Sequence, residues 1–311
     1  MKKHSIALLL LLVLLTGCGA KTEEAPWQTA YRETGKYLQE QDALSAGSVG
    51  GEWAVIGLSR AGLLSDETAQ SYEQTVEDYV KQAGSVRLHH AKSTENSRAI
   101  LGLTAAGYNA ANMAGVDLTA GLTDMAYLRA QGTNGPIWAL IALDCHGYDI
   151  PRCADGEEQT TCEGLVAEIL SYQCSDGGWA LMGDESDVDM TAMALTSLAP
   201  YQEETDIKAA VDAALTYLSD AQQADGGFMS WGAANSESCA QVIVALTALG
   251  IDSAADSRFV KNGASPLDGL CAFACEGGGF RHSDEVWLPS RASTHWSPTT
   301  ASGRARHACS T

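Results

Sequence analysis

Five times along this chain a turn that holds glycine beside a tryptophan or phenylalanine introduces an alanine-rich apolar segment, and this recurrence limits the fold more than any single motif. The two best copies are Gln173-Cys174-Ser175-Asp176-Gly177-Gly178-Trp179 and Gln222-Gln223-Ala224-Asp225-Gly226-Gly227-Phe228, whose Asp-Gly-Gly turns lie 49 residues apart (225 minus 176). Looser copies are Gly50-Gly51-Glu52-Trp53, Gln131-Gly132-Thr133-Asn134-Gly135-Pro136-Ile137-Trp138 and Gly277-Gly278-Gly279-Phe280. A period of this length marks one supersecondary unit, repeated and stacked on its neighbours.

Between the turns, two kinds of helix alternate. Trp53 to Ala61, Arg98 to Ala106, Trp138 to Leu143, Val188 to Ala199 and Ala240 to Leu249 are apolar nearly all round, which predicts burial on every side. By contrast, Ile207, Ala210, Val211, Ala214, Leu215 and Leu218 form one stripe, with Lys208, Asp212 and Asp220 elsewhere. That pattern predicts an outer helix wetted on one face. Gln70 to Lys81, Gly121 to Ala130 and Glu163 to Tyr172 repeat it more loosely. Alternation of outer helix, glycine turn and small-residue inner helix predicts an all-α fold that curves into an α/α toroid of five to six hairpins, with an open solenoid as the other arrangement. The turn glycines supply the positive φ that the reversal needs, and Asp176 and Asp225 can bond the free turn amides.

The N-terminus reads as an address. Lys2 and Lys3 precede an apolar run from Ile6 to Leu15, which ends in Leu15-Thr16-Gly17-Cys18. A membrane span needs about 20 apolar residues, more than this run has. The pattern resembles a bacterial lipoprotein signal, which implies lipidation of Cys18 and an extracytoplasmic body anchored to the cell membrane. The expected organisation is therefore a signal over 1–18, a linker over 19–30, the repeat domain over 31–282 and a separate tail over 283–311. Loss of Lys2 and Lys3 takes the formal charge from −20 to −22, which excludes nucleic acid as a natural partner. Eight cysteines remain beyond Cys18. A disulfide across the loop from Cys145 to Cys162 suits an exported chain, buried thiols are the alternative, and no spacing calls for a metal.

Gln173-x3-Gly177-x-Trp179 and Gln222-x3-Gly226-x-Phe228 resemble the repeat of the squalene-cyclase and prenyltransferase superfamily, over roughly residues 30 to 282 as judged from the repeat period. Asp187 to Leu195 and Ser236 to Leu246 look most like exported bacterial members, which are similar to the cobalamin carriers of the transcobalamin and intrinsic-factor type. The resemblance implies an α/α toroid and a cobalamin-like ligand, with no certain cofactor. An envelope protein is the other expected partner.

For the cyclases of this superfamily the acid motif is Asp-x-Asp-Asp-Thr, where this chain has Asp187-Val188-Asp189-Met190-Thr191. The resemblance puts the general acid at Asp189, with Asp187 beside it, and Met190 removes a like charge that would raise the acid's pKa. Protein prenyltransferases place Asp-x-Cys and a later His on zinc. Glu237-Ser238-Cys239 and His282 echo that set with Glu in place of Asp. Acids in a first helical turn also stabilise the helix dipole, with Ser186 and Ser236 as the expected N-caps. If the inner helices all start at one end, Asp187, Asp189, Thr191, Glu237 and Gln241 ring one mouth of a central cavity and form a ligand-binding site. The favoured function is non-enzymatic capture of a small ligand or envelope partner. The alternative is a terpene-cyclase-like enzyme using Asp189.

After His282 the character changes. Residues 286–311 contain no Asp, Glu or Lys and three Arg, and no helical period survives. The turn at Gly277 should introduce one more apolar inner helix. A frameshifted or misassembled gene end, which would leave the toroid incomplete, and an authentic disordered tail are the two expectations.

Overall fold

A computed structural model describes residues 24–41, 44–48 and 50–283. The signal with Cys18 and residues 284–311 lie outside the described residues. No described helix is long and apolar enough to cross a membrane.

The described chain is all-α apart from one small hairpin. Its α-helices are α1 (Pro26–Gln39), α2 (Gly51–Arg60), α3 (Asp66–Ala83), α4 (Thr94–Ala105), α5 (Met125–Arg129), α6 (Asn134–Asp144), α7 (Cys162–Ser171), α8 (Val188–Leu198), α9 (Thr205–Ala221), α10 (Ser236–Ala248) and α11 (Pro266–Cys271). Strands β1 (Met229–Ser230) and β2 (Ala233–Ala234) pair antiparallel, with Met229 opposite Ala234. The even-numbered helices from α2 to α10 are those read from the sequence as apolar nearly all round, and they form a central series in which each packs on the next: α2 on α4, α4 on α6, α6 on α8, α8 on α10. Helix α9 packs on α8, α7 on α6 and α3 on α4. In α9 the buried residues are Ile207, Ala210, Val211, Ala214, Leu215 and Leu218, the stripe read from the sequence. Helix α8 is buried along most of its length.

Three of these helices nevertheless keep one stripe only partly covered, at helical spacing: Trp53 and Ile56 on α2, Trp138 and Ile141 on α6, Asp189, Met193 and Thr196 on α8. The Trp53 and Trp138 rings meet at 5.1 Å between centroids, although α2 and α6 are not consecutive in the packing series.

The glycine turns are built alike in three copies. Cys174 N–H donates to Gly178 O, Gln223 N–H to Gly227 O and Cys275 N–H to Gly279 O, at 2.8, 2.9 and 2.9 Å. The residue before each closing glycine takes positive φ: +92° at Gly177, +86° at Gly226 and +103° at Gly278. A side chain is also sterically excluded there. A Cβ on Gly177 would stand 2.9 Å from Ala213 O in α9, and one on Gly226 would stand 2.1 Å from Ser265 O at the α11 cap. A Cβ on Gly278 would stand 2.5 Å from Glu33 O in α1, so the last turn rests on the first helix. Gly279 N–H adds a bond to Thr34 Oγ1 at 3.0 Å. In the two best copies a glutamine ties turn to neighbour: Gln173 Nε2 donates to Gly177 O and Ala210 O, and Gln222 Nε2 to Gly226 O and Phe259 O. Ala274 holds the matching place in the third copy, so that brace is missing there. Trp179 and Phe228 are fully buried, and Trp179 Nε1 donates to Ile169 O at 2.7 Å.

Several expectations need correction. Helix α1 begins at Pro26, inside the stretch read as a linker, because proline suits the first helical turn. The outer helix expected over Gly121 to Ala130 is split into a 3-10 segment, Leu118–Leu122, and the short α5. Asp124 restarts the helix there by accepting from Ala126 N–H at 3.1 Å. Cys145 and Cys162 are free thiols rather than a disulfide. Burial pushes both upward, which leaves them less reactive than an exposed thiol.

The contact of a bare glycine with the next outer helix gives a direct test. Gly226→Ala should lower stability by about 2 kcal/mol or more, from strained φ plus the clash with Ser265 O. Gly250 has φ +74° with open space around it, so Gly250→Ala should show the backbone cost alone, about 1 kcal/mol. Equal losses in chemical denaturation would mean that the Gly226 contact contributes nothing.

Candidate functional site

The acids singled out by sequence lie at the starts of α8 and α10, which pack side by side. Capping explains how they are held. Asp187, extended at φ −125° and ψ 143°, is the N-cap of α8 and accepts from Asp189 N–H and Met190 N–H at 3.0 and 3.1 Å. Asn235 caps α10 through Ser238 N–H at 2.7 Å. The caps are therefore these two residues and not Ser186 and Ser236: the α8 cap lies one place after Ser186 and the α10 cap one place before Ser236, where each side chain reaches the free amides. The Ser186 hydroxyl instead donates to Asp176 Oδ1 at 2.6 Å, joining the glycine turn to the helix start.

Asp187 also receives a bond from outside its own unit. Ser230 Oγ, on β1, donates to Asp187 Oδ2 at 2.6 Å, which pins the hairpin across the start of α8. The hairpin tip is Trp231-Gly232, with φ +53° and +82°. Positive φ at both residues is the geometry of a tight two-residue hairpin loop, a place usually taken by Asn-Gly. A left-handed tryptophan costs of order 1 to 3 kcal/mol, and here its ring gains no burial in return: Trp231 is 86 % exposed. Met182, 71 % exposed, lies on the same pocket. That pocket, of about 600 Å³, is walled by Leu181, Met182, Glu185, Ser186, Asp187, Trp231 and Gly232.

The other acids are placed differently. Asp189 is only partly covered, but its Oδ1 is buried and has no hydrogen-bond partner among the described residues. Burial is the main cause that lifts its pKa, with the charges of Asp187 and Glu237 adding to the rise and the Ser238 and Ser230 hydroxyls opposing it. Loss of the acid expected at position 190 is thus offset by desolvation. Asp189 does not line the 600 Å³ pocket. Thr191 is fully buried: its hydroxyl accepts from Trp179 N–H at 2.9 Å and donates to Asp187 O at 2.7 Å. Both bonds stay within the unit, so Thr191 locks the aromatic turn to α8. Gln241 is half-buried one turn into α10.

Glu237 and His282 do come together, with Nδ1 and Oε2 2.8 Å apart. Cys239, the third member of the zinc-like echo, is fully buried, and desolvation pushes its thiol up to about 11. Among the described residues no group of three or more His, Cys, Asp and Glu side chains is arranged to hold a metal ion.

A second acidic cluster was not anticipated. Glu52 at the start of α2 is buried, its Oε1 accepts from Gly47 N–H at 2.6 Å, and Arg98 stands 4.0 Å from its Oε2. Arg98 also bonds Glu95 at 2.6 Å; burial raises the Glu52 pKa, against the Gly47 N–H bond and the Arg98 charge and with the Glu95 charge adding to the rise. Its signal was in the sequence, since Glu52 follows the Gly50-Gly51 turn and opens a central helix as Asp189 does. The Trp231 hairpin left a weaker trace: Trp231-Gly232 matches a tight turn only in its glycine.

No protein-family model matches the sequence, and no curated protein matches it either.

The raised pKa of Asp189 has a measurable sign. A carboxyl that holds its proton more tightly when folded contributes its full stability below the ordinary value of 3.8 and loses it as the pH rises through the folded value. Asp189→Asn and the parent should therefore melt alike at about pH 3, and the variant should be relatively more stable at about pH 7. A difference that is constant across this range would show that Asp189 titrates normally.

Proposed function

We propose that this chain is a lipid-anchored, extracytoplasmic α/α-toroid protein that captures a small ligand at one mouth of the ring without transforming it. Support for the ring comes from the serial packing of α2, α4, α6, α8 and α10, from the Trp53–Trp138 contact between non-consecutive helices, and from the rest of the last glycine turn on α1. The anchor rests on the lipoprotein-like run that ends at Cys18.

The observation that carries the binding reading is Trp231. A tryptophan kept in a costly backbone conformation and left exposed on a pocket that it shares with Met182, Glu185 and Asp187 has no structural benefit that offsets the strain. A pocket of this volume with a few convergent polar groups suits a small molecule. The ligand class follows from the walls: a flat or apolar face for the indole, and a cationic or hydrogen-bond-donating edge for the carboxylates, which repel anions. A corrinoid, a flat macrocycle fringed with amides, meets both requirements and is the first ligand to test.

The cyclase reading keeps one specific observation in its favour, the Asp189 carboxyl with its raised pKa and its buried, unpaired oxygen. Against it, a general acid must face the bond it protonates, and Asp189 is no part of the 600 Å³ pocket.

Calorimetric titration with cobalamin and cobinamide should show saturable binding, and Trp231→Ala should weaken it at least tenfold, about 1.4 kcal/mol. Glu185→Gln should weaken it less. Absence of binding by either corrinoid would remove that ligand class. Conversion of squalene that disappears in Asp189→Asn would replace the capture reading with the enzymatic one.

A further inference from the structure

Met182 and Trp231, the two most exposed large apolar side chains among the described residues, hold equivalent places in consecutive units, 49 residues apart (231 minus 182). Each is followed by a glycine of matching left-handed backbone, Gly183 at φ +81° and Gly232 at +82°. Each tip is also tied to the start of the preceding central helix. Thr133, the N-cap of α6, donates its N–H to Leu181 O at 3.2 Å and its hydroxyl to Ala180 O at 2.7 Å, much as Ser230 bonds the cap of α8. A Cβ on Gly132 would stand 2.2 Å from Leu181 O, so the earlier tip rests backbone on backbone.

A pocket therefore recurs where each tip crosses a cap. The Trp231 pocket has a smaller counterpart of about 270 Å³, walled by Arg129, Thr133, Tyr172 and the Met182-Gly183 tip. Leu181 and Met182 belong to both, so the two pockets meet at that ridge. Packed helices lie about 8 to 10 Å apart, which an extended chain of about three residues spans. The chemistry of the two pockets differs. Glu185 and Asp187 make the larger one acidic, and its walls hold no basic residue. A guanidinium suits it better than an ammonium, because a planar cation can stack on indole while its N–H edge pairs with a carboxylate. In the smaller pocket Arg129 Nε and Nη2 donate to Glu168 at 2.9 and 2.8 Å, and Nη1 donates to Glu158. Two carboxylates more than neutralise that guanidinium, which removes its attraction for an anion. Of its N–H donors, the ones not bonded to these acids suit a neutral carbonyl.

We propose that the two pockets together capture a short, extended, arginine-bearing peptide across consecutive units: its guanidinium lies on Trp231 beside Glu185, its backbone crosses Met182, and one of its carbonyls accepts from Arg129. This rests on the capture reading and names the ligand class of the same site. The formal charge of −20 favours approach of such a basic segment.

The probes are acetyl-Leu-Ala-Ala-Arg-amide, the same peptide with citrulline for arginine, and acetyl-Arg-amide, each titrated calorimetrically into the full chain. The tetrapeptide should bind saturably. Citrulline keeps the plane and loses the charge, so its peptide should bind about tenfold more weakly, and Glu185→Gln or Trp231→Ala should weaken the arginine peptide by about as much. Acetyl-Arg-amide, too short to cross Met182, should bind about fivefold more weakly than the tetrapeptide, and Arg129→Lys should remove that difference. Met182→Ala alters an exposed side chain and serves if Arg129→Lys does not fold; it too should narrow the difference. Equal binding of the tetrapeptide and acetyl-Arg-amide, or of the arginine and citrulline peptides, overturns the proposal. So does a corrinoid that binds at Trp231 while no peptide binds, an outcome that leaves the capture reading standing. A chain that binds neither peptide nor corrinoid removes both.

Discussion

The close approach of a side-chain-free turn to the next peripheral helix is the constraint on which the arrangement depends. At Gly177, Gly226 and Gly278 the backbone of one unit touches backbone oxygens of the next, and any L-residue would meet both a forbidden φ and a steric wall. Because that contact is backbone on backbone, it sets the spacing between units with little freedom. The same contact made by Gly278 against Glu33 returns the last described unit to the first helix.

The site is a consequence of that spacing. Once central helices lie side by side, the starts of α8 and α10 come together, and acids that cap or open them share one region. Their chemistry then diverges with burial. Asp187 is saturated by two amides and one hydroxyl and faces a pocket, while Asp189, one helical step inward, is desolvated and favours its proton. Two carboxylates two residues apart thus have different electrostatic environments, and the capture reading uses the first while the cyclase reading needs the second.

Much of the fold was legible because its signals are local. Apolar segments near Trp53, Arg98, Trp138, Val188 and Ala240 became the central helices, and the Ile207 to Leu218 stripe became the buried face of α9. What escaped was decided by single geometries. Asp124 interrupted an expected helix by capping a new one, and Asp187 and Asn235 took the caps assigned to the serines that follow or precede them by one place. The thiols of Cys145 and Cys162 stay apart although the loop between them suggested a staple.

Periodicity of apolar residues and recurrence of glycine turns, both properties of neighbours in the chain, determined the all-α class, the two kinds of helix and the places where the backbone reverses. Distance between residues far apart in the chain is not encoded in any such period. Only the tertiary structure could bring Ser230 to Asp187 across 43 residues, set the exposed Trp231 on one pocket with Glu185, pair Glu237 with His282, and line an apolar groove from α1, α2, α10 and α11. The physical reason is that capping and helical burial act within a few residues, whereas a pocket and a desolvated carboxyl exist only where separate elements meet.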